Sequence, residues 1–264
     1  MKKKLISILT WITWMATGSA LMVLMGFARQ TYFNSPLREI KLNIQQVEGG
    51  GFLLRDSLRN EISAVFHGGN GQPMKAIRTE PLLNQLSLIP WVESVKASTA
   101  IDGTLKVWVV ERIPVIRVFA QSGHSVYLDK QGYIFIPCSH HTTRVLVANG
   151  DIDFEPLTFG RTSHISAPAY KKSLLPDVLA VGKTLIEEPF AHALIDQVYV
   201  SDSSGFELIP KFSNINIILG DTSSLQDKVQ KFSAFFRQKL TSPELLDYKA
   251  INVTFKNQVV CIKY

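Results

Sequence analysis

Cys138, His140 and His141 stand within four consecutive positions. Thiolate and imidazole are the ligands of zinc and similar cations. A closed site draws four such ligands, and no partner cluster accompanies this group, so it reads as a solvated loop. Gly182-Lys183-Thr184 has the closing letters of a phosphate-binding loop, in which backbone N–H groups and a lysine cradle phosphates. That loop needs a glycine where this chain has Asp177, and it needs the triplet after a strand rather than inside a helical pattern. Asp151 and Asp153 form a short acidic pair without a matching histidine or nucleophile. No Gly-x-Ser-x-Gly elbow exists to present a serine. Asn252-Val253-Thr254 spells a glycosylation acceptor but falls inside a strand pattern. No residue is assigned a catalytic, cofactor-binding or metal role, and the chain reads as a non-enzyme.

The elements around these residues begin with Leu5 to Ala28, a stretch with no charged side chain. At ~1.5 Å per helical residue it covers ~36 Å, enough for the hydrocarbon core of a bilayer with some tilt. Lys2, Lys3 and Lys4 precede it. The positive-inside rule keeps them in the cytoplasm and puts residues 30–264 on the far side of the inner membrane. Trp11 and Trp14 lie two to three turns in, a loose fit to an interfacial aromatic belt. A cleaved signal peptide is the rival reading, with cleavage after Ala20 or Ala28, but the apolar run is longer than the usual ~7–15 residue core of such peptides. Basic residues number 28 against 22 acidic. Setting aside Lys2–Lys4 leaves the exported part near neutral, with no stripe that would suit nucleic acid. The two cysteines, Cys138 and Cys261, are too few to staple a scaffold. Whether they bridge is open, and two separate thiols are the favoured state.

Residues 29–37 read as a polar linker. Ile40, Leu42 and Ile44 alternate with polar residues, the mark of a half-buried strand. Gly49-Gly50-Gly51 breaks it. Leu54, Leu58, Ile62 and Val65/Phe66 recur at helical spacing, and Gly68-Gly69-Asn70-Gly71 ends that helix. Thr79-Glu80-Pro81 opens a second helix, with Thr79 as cap and Pro81 in the first turn. Trp91–Ala100 and Leu105–Glu111 are strands joined by the turn signal Asp102-Gly103. The order β-α-α-β-β fills residues 38–113. A second module, 114–264, opens with strands at Val115–Ala120, Val126–Leu128 and Tyr133–Ile136, with another near Arg144–Val147. A long loop runs over Asp151–Ser166 and a helix over Pro176–Phe190. Strands follow at Ile195–Val200, Phe206–Ile209, Asn216–Leu219, Ala250–Phe255 and Val259–Ile262. A helix with the stripe Leu225, Val229, Phe232, Phe236 and Leu240 lies before the last two, and Ser224 with Asp227 resembles a capping box.

The ordered motifs carry a resemblance. Ile89-Pro90-Trp91-Val92-x-x-Val95, a hairpin, then Leu105-x-Val107-x-Val109-x-Glu111-Arg112-x-Pro114 resembles the end of the POTRA domain in the FtsQ/DivIB family of bacterial division proteins. Leu128-Asp129-x-x-Gly132-Tyr133-Ile134-Phe135, Phe206-Glu207-Leu208, Asn216–Gly220, Lys228 and Ile251–Phe255 resemble later family motifs in the same order. The chain departs at Asn252 and Thr254, where the family usually has Asp and Arg, and residues 138–175 match loosely. The resemblance implies an α+β fold: one transmembrane helix, a POTRA domain and a β domain. It implies a non-enzymatic scaffold at the division septum that binds FtsB/DivIC-like and FtsL-like bitopic partners and helps control septal peptidoglycan synthesis, without a cofactor. The alternative is another membrane-anchored POTRA protein in envelope transport or secretion; a tethered envelope hydrolase is a third reading.

The last strand is the expected partner-binding edge. Only Lys263 and Tyr264 follow Ile262, and an uncovered edge invites another strand. Val260, Ile262 and Tyr264 would share one face, Val259, Cys261 and Lys263 the other. Phe255 matches an aromatic in the family's partner-contact region. The expected contact residues are therefore Phe255, Val259, Val260, Cys261, Ile262 and Tyr264, although at least one face must also complete the core.

Overall fold

A computed structural model describes residues 2–34, 36–46, 51–66, 71, 73–74, 77–100, 102–158, 160–211, 214–239 and 242–264. The expected breaks at Gly49-Gly50 and Gly68–Asn70, and Leu240 of the helical stripe, lie outside these residues. The architecture is mixed α+β.

Helix α1 spans Lys2–Asn34. Its segment Thr10–Thr31 is apolar, long enough to cross a bilayer, and uncovered by protein on every side. The hydroxyls within it are paired to the helix itself: Thr13 donates to the Thr10 carbonyl, Thr17 to Thr13, Ser19 to Ala16 and Thr31 to Phe27. Internal pairing of this kind is what a hydrocarbon solvent demands. The helix continues through Arg29–Asn34, where a linker was expected; no glycine or proline occurs there to stop it before Pro36.

Two compact units follow from the packing. The first comprises residues 1–45, 53–87 and 94–110. Strand β1 (Glu39–Gln45), helices α2 (Arg55–Val65) and α3 (Thr79–Ser87), and strands β2 (Val92–Thr99) and β3 (Thr104–Glu111) appear in the expected order. The sheet order is β1-β3-β2, with β1 parallel to β3. Leu42, Leu105, Val107 and Val109 are buried, as are Leu58 and Ile62 of α2 and Leu82 and Leu86 of α3. Burial alternates along β3, so Lys106, Trp108 and Val110 take the opposite face. Asp102 and Gly103 make the turn: Gly103 sits at φ +84°, and the Asp102 carboxylate accepts from Thr104 N at 2.9 Å. Leu54, expected in the apolar stripe of α2, instead precedes the helix and is exposed.

The second unit holds residues 46–52, 88–93 and 111–264. Its strands are β4 (Pro114–Phe119), β5 (Ser125–Asp129), β6 (Tyr133–Phe135), β7 (Leu146–Gly150), β8 (Ser163–His164), β9 (Ile195–Ser201), β10 (Gly205–Pro210), β11 (Asn216–Gly220), β12 (Tyr248–Asn252) and β13 (Val260–Lys263). They form one sheet in the order β13-β12-β11-β10-β9-β7-β4-β5-β6-β8. Helices α4 (Leu175–Glu187), α5 (Pro189–Leu194) and α6 (Leu225–Lys239) pack on it. Their Val178, Leu185, Phe232 and Phe236 join Ile116, Val118, Ala148, Val198, Leu208, Ile217 and Ile251 in one buried core.

A single helix was expected over Pro176–Phe190, and the chain makes two. Glu188 turns extended (φ −106°, ψ 105°), Pro189 starts α5, and the Glu188 carboxylate accepts from Ala191 N. A proline disfavours helical geometry in the residue before it and suits the first position of a new helix. Ser224 also departs from expectation. It stands at φ +49°, not in the extended conformation of an N-cap.

Candidate partner-binding edge

The motif residues are built into the second unit as a buried framework. Arg112 is buried and donates to the carbonyls of Pro90 (3.3 Å) and Val92 (3.0 Å). It also pairs with Asp129, and its guanidinium lies 4.4 Å from the centroid of the Tyr133 ring. The other oxygen of Asp129 accepts from Gly132 N and Tyr133 N, both at 2.8 Å. Gly132, at φ +97°, allows this turn back. Glu111 is buried beside it, accepting from Phe52 N (3.0 Å) and Gln46 Nε2 (2.9 Å). Charges desolvated in this way survive only when paired. Glu111, Arg112 and Asp129 are thus engaged in holding backbone together.

The other chemistry-bearing residues are engaged similarly. His140 Nε2 lies 2.9 Å from the Phe52 carbonyl oxygen, and His141 Nε2 lies 3.1 Å from Thr143 Oγ1. Cys138 Sγ donates to the His141 carbonyl at 3.3 Å. Among the described residues no group of three or more His, Cys, Asp and Glu is placed to hold a metal. Asp151 accepts from Gln121 Nε2 and Asp202 N, each at 2.9 Å. Gly182 lies within α4, where an added Cβ would stand 3.4 Å from Val115. Cys138 and Cys261 are both free thiols.

Strand β13 ends the ten-stranded sheet. It pairs antiparallel with β12, setting Ala250 opposite Ile262, Ile251 opposite Cys261 and Asn252 opposite Val260. Ile251 is fully buried, so Cys261 faces the core, and Val259 packs on that core as well. Burial holds the Cys261 thiol pKa above its usual value, with Lys239 opposing; the group stays a neutral, half-buried apolar contact. The opposite face carries Val260 (38% exposed), Ile262 (41%) and Tyr264 (81%). Among the described residues no strand lies beyond β13, so one row of its backbone donors and acceptors has no sheet partner.

Phe255, 46% exposed, stands in the turn joining β12 to β13. That turn is fixed by residues whose part the sequence alone does not declare. Lys231 of α6 donates to the carbonyls of Val253 (3.0 Å) and Phe255 (2.8 Å) and pairs with Asp227 one helical turn earlier. The Asn252 carboxamide oxygen accepts from Thr254 N and Oγ1. Asn257 takes φ +58°, which Asn tolerates better than most residues. At the far end Tyr264 N donates to Asp247 O at 3.3 Å, and Lys263 Nζ sits 5.9 Å from the Tyr248 ring centroid. The i, i+4 spacing of Asp227 and Lys231 marks their ion pair, but no local pattern announces the two carbonyls that Lys231 holds.

The six expected contact residues thus fall into an exposed set, Phe255, Val260, Ile262 and Tyr264, and an inward pair, Val259 and Cys261. An edge strand with an exposed apolar face can take up another strand through backbone hydrogen bonds, with the alternate side chains setting specificity.

Comparison with known proteins gives one family model, described as "FtsQ/DivIB, C-terminal related", matching residues 113–262. Cell division protein FtsQ of Geobacter sp. (strain M21) is 25% identical over 249 residues, covering 93% of this chain and 85% of that protein. The FtsQ of Rhodothermus marinus is 26% identical over 186 residues, 65% of this chain and 60% of that protein. The FtsQ of Geotalea daltonii is 22% identical over 212 residues, 80% of this chain and 72% of its own length.

Proposed function

The chain belongs to the FtsQ/DivIB family, and from that premise we propose that this cell-division protein is a non-enzymatic bitopic scaffold whose β13 edge accepts a strand from an FtsB/DivIC-like partner. It also binds an FtsL-like partner, and the assembly helps control septal peptidoglycan synthesis. The observation that carries the reading is the placement of β13 at the end of the sheet, with Val260, Ile262 and Tyr264 exposed on one face. Lys2–Lys4 orient α1 with its N-terminus in the cytoplasm and the two units in the periplasm, and the family's role in division puts the assembly at the septum. The POTRA module over residues 38–113 serves recruitment, and the β domain over 114–264 serves partner binding. The rival reading, a POTRA protein of envelope transport or secretion, accounts for the first module alone, whereas the family match runs over 113–262.

Depletion in the native host tests the reading. The cells should form filaments with unfinished septa. Wild-type chain should restore division, and Ile262→Pro, made to the same level, should not. Loss of export with normal septa would favour the transport reading instead.

A further inference from the structure

Strand β3 puts an exposed tryptophan on the solvent face of the first unit's sheet. Register pairs Lys41 with Lys106, Asn43 with Trp108 and Gln45 with Val110 across β1 and β3. Because paired residues of neighbouring strands share a face, these six stand together, opposite the buried Leu42, Val107 and Val109. Trp108 is 38% exposed. Lys41, Arg55, Arg59 and Lys106 line a crevice with Trp108 at the β1 edge, and Lys96 lies on the other side of the indole. The acids among them are Glu39, 3.4 Å from Lys41, and Asp102, whose pKa its bonds to Thr104 lower first and Lys106 and Lys41 lower further. Five cations against two carboxylates leave the face and its β1 edge positive around an apolar ring, with Arg55 Nη1 also donating to the Leu42 carbonyl at 2.8 Å.

The chain also fixes where this face can go. Leu37 is buried in the first unit and accepts from Gly71 N at 2.9 Å, while Arg38 N donates to Gly103 O at 2.9 Å. Helix α1 ends at Asn34. Only residues 35 and 36 therefore separate the membrane-crossing helix from an anchored point of the folded unit, a reach of ~11 Å at full extension. Lys41 follows four residues later on β1.

We propose that the Trp108 face rests on the membrane surface, with Lys41, Lys106 and the neighbouring arginines against anionic phospholipid headgroups and the indole at the interfacial level. Three arguments favour lipid over an acidic protein segment. The short join keeps the face near the bilayer whether or not a partner is present. Tryptophan prefers the membrane–water interface. Lysines beside an anionic surface each contribute about a fivefold gain in partitioning, and their stems cover apolar surface beside the ring. The proposal depends on α1 crossing the membrane and is independent of what β13 binds.

The test uses the full chain in lipid nanodiscs, with Trp11→Phe and Trp14→Phe so that emission comes from Trp91 and Trp108. Trp91 is a constant background, because its Nε1 is held by the Ile136 carbonyl at 2.9 Å. In discs of phosphatidylcholine with phosphatidylglycerol, emission should shift to the blue and acrylamide quenching of Trp108 should be lost. Both effects should vanish in phosphatidylcholine alone, at about 1 M salt where the Debye length is ~3 Å, and in Lys41→Glu/Lys106→Glu. The milder Lys41→Gln/Lys106→Gln should weaken them, and circular dichroism should show both variants folded, since all these side chains lie outside the core. Equal quenching in the two lipids would overturn the proposal. So would protection that survives the charge reversal, or that requires an added division partner. Partner capture by β13 should be unaffected in every variant, which separates a failure here from a failure of the scaffold reading.

Discussion

Arg112 and Asp129 are buried opposite charges that bind three stretches of backbone in the second unit. Their motifs are visible in the sequence, but their task is not, because the partners lie 17 residues apart and the carbonyls that Arg112 holds come from 22 and 20 residues earlier in the chain. Removing one partner leaves the other charge desolvated. Asp129→Ala should cost about 3–5 kcal/mol in urea unfolding of the second unit, and a loss below about 1 kcal/mol would mean that water reaches Arg112. Lys228 shows the same division between pattern and role. It occupies a motif position, and the structure buries it with Nζ 2.6 Å from Asp221 Oδ1 and 2.8 Å from the Asp221 carbonyl. Hydrogen bonds from Lys228 and then Ser223 hold the Asp221 carboxyl at about 2, below its usual 3.8. A depressed carboxylate pKa contributes stability that is complete above the unfolded value and is lost as pH falls toward the folded one. The melting advantage of wild type over Asp221→Asn should therefore hold at neutral pH and disappear between pH 3.8 and about 2. It should be small, since Asp221 is largely exposed.

Elements with a clean period are legible in the sequence. Burial alternates along β3 as the apolar pattern requires, and the stripe Val229, Phe232, Phe236 of α6 reaches the core. What fails is local punctuation. Glu188-Pro189 splits a helix that apolar spacing alone would continue, and Ser224 adopts a left-handed turn instead of a cap. The two-residue β8 could not be read at all: Ser163 and His164 carry no alternation, and only pairing with β6 makes them a strand. Val109 tests the first unit directly. It is buried in β3, where an aspartate would be an unpaired carboxylate facing apolar side chains. Val109→Asp should unfold that unit and leave the second unit's transition in place. A wild-type melting curve would show that β3 does not face the helices.

At the scale of the molecule, α1 and β13 lie near opposite ends of the chain and are its candidate attachments, to a bilayer and to a partner strand. The candidate contact strip is half legible. Alternation divides Val260 and Ile262 from Val259 and Cys261, but the clasp by Lys231 and the turn at Asn257 depend on how α6 packs, which no local pattern states. If α1 is an anchor, full-length protein should remain in the membrane pellet after alkaline extraction, with its N-terminus intact by sequencing. A soluble form beginning at Leu21 or Arg29 would contradict that.

The central claim is that β13 takes up a partner strand, and capture of an FtsB/DivIC-like partner by the detergent-solubilised full chain tests it most directly. Ile262→Pro removes the backbone donor that faces Ala250 of β12 and so loosens β13 as a pairing strand, at a residue whose side chain lies outside the core. The variant should keep the wild-type circular dichroism, with at most a small fall in melting temperature from the loosened terminal strand, and should lose capture. Capture at wild-type strength by folded Ile262→Pro, or by a chain truncated after Gln258, would place the interface elsewhere on the molecule.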